Sequence, residues 1–308
     1  MNLCSNHFMN NISCNSMKKI IVIILMLCCT HCICFSQIKN KQDAITYLKA
    51  SVQLTNKLTP LKWPLHRIFT GITYKNNTVT YNFTIEEDSI INSKRVLRNR
   101  IGLLSEKDID KSFSLFMKGC DMYWLNNACK KDSKLKDAIR LSGCKIVYNI
   151  YSKVEHRLLF SNSTNYYDLK NISRLVNKGA SMKFCYEVFQ LDYLMFGTDL
   201  FIDNFSSRED NYVETKTMAN LFMWIYEFPD LYAQPFTKYE LEKVKLVHID
   251  NCINAIESVG NDINEVCTYF DVFGKQFKVI LRDEQTKKAV QTITFTGSDI
   301  YQRYYAKW

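Results

Sequence analysis

The stretch Ile68-Phe69-Thr70-Gly71-Ile72-Thr73-Tyr74, Lys75-Asn76-Asn77, Thr78-Val79-Thr80-Tyr81-Asn82-Phe83-Thr84-Ile85 decides the fold class. Two runs rich in β-branched and aromatic residues flank a short polar break. Val79, Tyr81, Phe83 and Ile85 alternate with Thr80, Asn82 and Thr84, which describes an antiparallel hairpin with one buried and one wet face.

Upstream, Gln42 to Leu54 carries Ala44, Ile45, Leu48, Ser51 and Val52 at helical spacing and ends before Thr59-Pro60 and Trp63-Pro64. Downstream, three helices are predicted. Ser93 to Lys107 has the stripe Val96, Leu97, Ile101 and Leu104. Asp108 to Asn126 turns Ile109, Phe113, Phe116, Met117 and Tyr123 inward, and Lys134 to Leu141 stops at Gly143, a residue suited to a helix C-cap. A second hairpin, Lys145 to Tyr151 and Arg157 to Phe160, completes a first module.

The beginning of that module returns in diluted form. Leu48-Lys49, Leu54, Asn56-Lys57 and Lys62 match Leu169-Lys170, Leu175, Asn177-Lys178 and Lys183 at an offset of 121, and Leu61-Lys62-Trp63 becomes Met182-Lys183-Phe184. Trp63 is read as the residue fastening the first helix to the sheet. On this register Tyr167 to Lys178 is a helix, Met182 to Leu191 and Leu194 to Asp203 form a hairpin, and Thr215 to Tyr226 is a helix. Lys238 to Val259 is a long helix ending at Gly260, with Ala255-Ile256-x-x-x-Gly260 echoing Ala138-Ile139-x-x-x-Gly143. Val266 to Val272 and Gln276 to Leu281 form a last hairpin turning at Phe273-Gly274-Lys275. Val290 to Thr296 adds a strand, and Ser298 to Trp308 is a short aromatic helix or tail. The expected fold is therefore α+β. It has two tandem modules that read as copies, residues 37–163 and 164–308, each an antiparallel sheet (hairpin–helices–hairpin) with helices on one face.

Ahead of them, residues 1–36 read as an upstream extension plus a signal peptide starting at Met17. Met17-Lys18-Lys19 precedes the apolar run Ile20 to Leu27, and Cys34-Phe35-Ser36 supplies small residues for cleavage after Ser36. The alternatives are an uncleaved anchor, the one route to membrane contact, and a lipoprotein. Against the lipoprotein, none of Cys28, Cys29, Cys32 and Cys34 follows a small residue. The expected location is the periplasm, cell envelope or exterior. Removing Lys18 and Lys19 with no acid lowers the net charge from +9 to +7. The lysines are scattered and not striped along a helix, so nucleic acid is not an expected partner. With 47% hydrophobic residues, 9 Gly and 4 Pro, the chain can bury a sizeable core.

Six cysteines remain beyond the leader: Cys120, Cys129, Cys144, Cys185, Cys252 and Cys267. In an exported chain the equal spacing of Cys129 with Cys144 and Cys252 with Cys267 makes two disulfides an expectation, with buried free thiols as the alternative. Each bridge would contribute about 3 kcal/mol by restricting the unfolded chain.

Catalytic chemistry is hard to find. His66, His156 and His248 lie apart from any metal-ligand spacing, and no nucleophile elbow, dinucleotide fingerprint or phosphate loop occurs. Glu86-Glu87-Asp88 reads as a solvated loop before a weak cation site, and Cys185 sits in a strand-like run. No catalytic, cofactor or metal residue is assigned. The aromatics at the C-terminus, Tyr301, Tyr304, Tyr305 and Trp308, follow no core pattern and are candidate binding residues. The sequence thus points to an exported, non-enzymatic envelope protein binding a peptide, glycan or protein partner. The alternative is an envelope hydrolase with its site between the modules.

Overall fold

A computed structural model describes residues 37–86, 88, 105–196, 211–218, 220–258 and 262–306. The expected leader, most of the helix at 93–107, the strand from residue 197 onward, Gly260 and Trp308 lie outside these residues. The chain divides into two units, residues 1–172 and 173–308.

In the first unit, α1 (Lys41–Asn56) starts at Asn40, whose side chain accepts the Asp43 N–H at 2.9 Å. It buries Ala44, Tyr47 and Leu48. β1 (Leu61–Trp63) pairs antiparallel with β2 (Arg67–Lys75), and β2 pairs with β3 (Thr78–Ile85). Asn76 and Asn77 both have positive φ, 49° and 54°, as a two-residue hairpin turn requires. β1 is short, so it leaves Ile72 without a strand partner on that side. The Asn56 amide fills the gap, accepting from Ile72 N at 2.8 Å and donating to Ile72 O at 2.7 Å.

Two helices, α2 (Glu106–Lys131) and α3 (Ser133–Ser142), carry the chain to β4 (Lys145–Ser152), which lies parallel to β3 from Thr78↔Lys145 to Ile85↔Ser152. β5 (Leu158–Thr164) closes the sheet antiparallel to β4, and α4 (Tyr166–Asn177) follows. Phe69, Ile72, Val79, Phe83, Ile146, Tyr148 and Ile150 form the buried face.

The second unit has the same order. α5 (Met182–Phe196) comes first, then the hairpin β6 (Tyr212–Met218) and β7 (Leu221–Phe228), then α6 (Lys238–Ser258) and α7 (Ile263–Phe273). β8 (Gln276–Asp283) is parallel to β7 and antiparallel to β9 (Ala289–Thr296), and α8 (Gly297–Ala306) ends the unit.

The fold is α+β in two modules, and the modules correspond in detail. Adding 131 to a residue number carries the second hairpin of one unit onto that of the other. Ile146↔Thr164 becomes Phe277↔Phe295, and the register shift after Ile150 becomes the one after Leu281. The left-handed residues Gly143 and His156 become Gly274 and Lys287.

Four expectations are corrected. Each sheet is mixed and not purely antiparallel, because two helices join its hairpins and bring β3 and β4, or β7 and β8, side by side in parallel. The 121-residue register fails: Leu169 to Asn177 lies in α4, which follows the second hairpin as α8 does in the other unit and so is no counterpart of α1, and Leu61-Lys62-Trp63 is strand β1, whereas Met182-Lys183-Phe184 opens helix α5.

Third, the elements of the second half trade places. Thr215 to Tyr226 is a strand-turn-strand and not a helix, and Met182 to Leu191 is helix and not strand. Val266 to Val272 belongs to α7. Phe222 to Tyr226 is buried on both faces, as is Phe184 to Leu191, so neither run shows the alternation or stripe that would identify it. In α7 the decisive signal is local. Asp262 caps the Glu265 N–H at 2.9 Å, and Gly274, at φ 66°, ends the helix where a hairpin turn was expected.

Fourth, no disulfide joins the six described cysteines, all of them buried, so neither Cys129 with Cys144 nor Cys252 with Cys267 is bridged.

Candidate functional site

The first unit has a partly open cavity of about 140 Å³ lined by α1, the sheet and the α2–α3 pair. Its walls follow from the strand period. Alternate residues of β2, β3 and β4 put Phe69, Tyr81 and Tyr148 on the inner face, and Trp63 closes one end from β1. These rings pack on one another: Tyr81 stacks on Tyr148 at 5.2 Å between centroids, and Trp63 lies 5.7 Å from Phe83. Tyr47, Leu48, Ser51 and Val52 form the wall from α1, and Asp121, Trp124 and Leu125 the wall from α2. Large rings on the sheet hold α1 off it, and the space between is the cavity.

Beside it lies a buried ion pair. Arg67 and Asp121 are each 1% exposed. The guanidinium donates through Nη1 to Oδ2 at 2.9 Å and through Nη2 to Oδ1 at 2.7 Å. Its Nε donates to Pro64 O at 3.2 Å, and its face lies 4.8 Å from the Phe83 ring centre. Burial works against both charges. It pushes the Asp121 carboxyl above the usual carboxylate range even though Arg67 pulls it down. For Arg67, burial is outweighed by the charge and hydrogen bonds of Asp121, and the guanidinium is held above its ordinary value.

At the other end Tyr47 Oη donates to Asp132, whose second oxygen caps α3 through Lys134 N at 3.0 Å and Leu135 N at 3.3 Å. Both carboxylates of the cavity are therefore engaged. Burial raises the Tyr81 and Tyr148 phenols, so they stay protonated at neutral pH.

Two donors are not engaged. Trp124, 5% exposed, and Trp63 both line the cavity, and the buried Nε1 of each has no hydrogen-bond partner. The Trp63 N–H lies near enough to Asp121 to favour its ionised form without making a bond of ordinary geometry.

The other sequence candidates fall elsewhere. His248 is buried, with Nε2 2.9 Å from Tyr226 Oη and Nδ1 2.8 Å from Val244 O, a histidine held by the core. His66 and His156 are exposed at turns with positive φ. Glu86 is ion-paired with Lys153 at 2.7 Å and serves as an end-clamp of β3 and β4. Burial pushes the Cys129 and Cys267 thiols up to about 12, and Cys185 is fully buried in α5, so none is a ready nucleophile. Among the described residues no cluster of three or more His, Cys, Asp or Glu side chains could hold a metal ion.

The terminal aromatics do come together. Tyr301 and Tyr305 sit on one face of α8 with centroids 4.6 Å apart, Tyr304 joins at 5.2 Å, and Tyr301 and Tyr305 are 39% and 51% exposed. Sequence reasoning took Trp63 as a fastener between the first helix and the sheet; the structure puts it in strand β1, lining a cavity that the sequence did not show. The available signals were Arg67 beside Ile68-Phe69 and Asp121 between Cys120 and Met122, charges set in otherwise apolar runs.

No family model matches the chain, and no curated protein matches it. Among solved structures a match is found to a Pseudomonas aeruginosa protein, designated secreted by inference and determined at 1.60 Å. It is 8% identical, covers 41% of this chain and 91% of its own, and gives a TM-score of 0.27, too low to carry any argument. Among the described residues no helix is long and apolar enough to cross a membrane.

Proposed function

We propose that this chain is an exported, non-enzymatic binding protein whose first unit holds a small apolar group in the cavity beneath α1. The group belongs to a free ligand or to a peptide or protein partner of the cell envelope. The observation that carries this reading is the cavity itself. It is walled by aromatic and aliphatic side chains, and its two carboxylates are already bound by Arg67, Tyr47 and the α3 N-terminus. A hydrolase of the carboxylate or thiol type would need a free carboxyl pair or a thiolate, and the carboxylates of this cavity and the buried thiols are in neither state. A glycan fits less well, since the walls offer few unengaged polar groups. Export is supported by the Met17 to Ser36 pattern, and the Tyr301, Tyr304 and Tyr305 cluster supplies an exposed aromatic surface for a protein partner.

The test is thermal unfolding of the purified protein with a panel of benzene-sized apolar molecules, hydrophobic peptides and oligosaccharides. A ligand at a hundred times its Kd stabilises by about 2.7 kcal/mol, a shift of several degrees. Ala128→Leu, which fills the cavity from α2, is expected to abolish that shift. No shift with any member, together with turnover on a glycan or peptide panel, would refute the binding reading in favour of the hydrolase.

A further inference from the structure

We infer that the first unit receives an anionic lipid of a membrane surface, its acyl chain in the cavity beneath α1 and its phosphate head group on the lysines around the opening. This rests on the reading of the cavity as a binding site for an apolar group.

Charge separates the two units. Residues 37–172 hold 23 Lys and Arg against 12 Asp and Glu, a net charge of +11, whereas residues 173–308 hold 15 against 19, a net charge of −4. A unit this basic attracts anionic partners. Its lysines are scattered in sequence, but α3 packs on α1, so adjoining elements carry them. Lys49, Lys57, Lys62, Lys130, Lys131 and Lys136 are exposed, and none has an ion-pair partner among the described residues. The acids beside them are committed: Asp43 accepts from Lys39 N, Asp132 caps α3, and Asp137 pairs with Arg140.

The opening joins this charge to the apolar interior. Ser51, Thr55, Lys62 and Leu135 belong to the cavity wall and also reach the surface, whereas Phe69, Trp124 and Tyr148 are buried in it. An anionic head group finds no free cation inside, because Arg67 is committed to Asp121, and burying an unpaired charge is costly. Outside, it meets the lysines. An acyl chain suits the aromatic and aliphatic walls, and each methylene it buries is worth about fourfold in affinity. A nucleic acid would use the lysines and leave the cavity empty. A neutral apolar molecule would do the reverse.

The experiment separates head group from chain. Binding of the purified chain to phosphatidylcholine vesicles, with and without about one-third phosphatidylglycerol, is measured by co-sedimentation. Binding of water-soluble dihexanoylphosphatidylglycerol, of glycerophosphate and of duplex DNA is measured by calorimetry. Anionic vesicles are expected to bind about tenfold tighter than neutral ones, or more, and to lose that advantage at high salt. Lys62→Gln and Lys136→Gln should each weaken vesicle binding about fivefold. Ala128→Leu, which fills the cavity, should weaken dihexanoylphosphatidylglycerol about tenfold and leave glycerophosphate unchanged. Ser51→Leu is the parallel variant should Ala128→Leu not fold.

Equal affinity for the two kinds of vesicle, or DNA bound as tightly as anionic vesicles, overturns the anionic lipid and leaves the cavity reading standing. So does lipid binding that both filling variants leave unchanged, because the chain then lies outside the cavity. Absence of lipid binding while apolar molecules still stabilise the protein overturns this inference alone. Absence of both overturns the binding reading as well.

Discussion

Replacing Asp121 by asparagine keeps the shape of the side chain and removes the charge that faces Arg67. In the native unit the guanidinium has two short bonds to that carboxylate, one to Pro64 O and the face of Phe83. Two unit charges about 4 Å apart, at the effective dielectric of about 20 that describes protein sites, attract by about 4 kcal/mol. Breaking a buried pair by removing one partner costs about 3–5 kcal/mol, because the other charge stays buried without compensation. Asp121→Asn and Arg67→Met are each expected to lose that much. The double variant Arg67→Met with Asp121→Leu is expected to lose far less than their sum, because no charge is then left in the core. Urea unfolding at neutral pH, followed by tryptophan fluorescence, reports on this unit through Trp63 and Trp124. A coupling energy of about 3 kcal/mol or more is expected from the double-mutant cycle. A value below about 1 kcal/mol, or a single-variant loss of that size, would mean the pair does not hold the sheet to α2 and would refute the reasoning.

Four other outcomes can be checked. Gly297→Ala places a Cβ 2.7 Å from Cys267 O and 2.8 Å from Phe270 Cβ, so α8 must shift, at about 1–3 kcal/mol; an unchanged urea midpoint argues against that close approach. Ellman's reagent should find the native thiols unreactive and six free thiols beyond residue 36 on denaturation without reductant; a smaller count would restore the case for a bridge. The raised thiols, Cys129 and Cys267 among them at about 12, give a stabilisation that is complete below the ordinary thiol pKa. It is lost as pH climbs from there, because the unfolded chain ionises first. In the acid range Asp299 acts oppositely. Burial raises it, but Lys245 and the Thr296 N–H and hydroxyl outweigh burial and leave it below its usual range. Its contribution is present above the ordinary aspartate pKa and fades as pH falls through the lowered value. Asp299→Asn should therefore flatten the acid limb of the stability curve, and an unchanged limb would argue against the Lys245 contact.

The local rules settled much of this chain from sequence. Alternation in Val79 to Ile85, with Asn76-Asn77 as the turn, determined the hairpin β2–β3, because a half-buried strand must repeat every second residue. The stripe Ile109, Phe113, Met117 determined α2, and the order hairpin–helices–hairpin determined the α+β class. Tertiary structure decided what depends on burial from two sides or on distant partners. Phe222 to Tyr226 of β7 and Phe184 to Leu191 of α5 are buried at every position, which erases their periodicity, and so the types of the two elements were interchanged. The parallel pairing of β3 with β4 joins residues 67 apart, and no local spacing records it. The same holds for the site. Arg67 meets Asp121 across 54 residues, and the cavity exists because α1 rests on the rings of three strands, a packing relation that no single stretch of sequence contains.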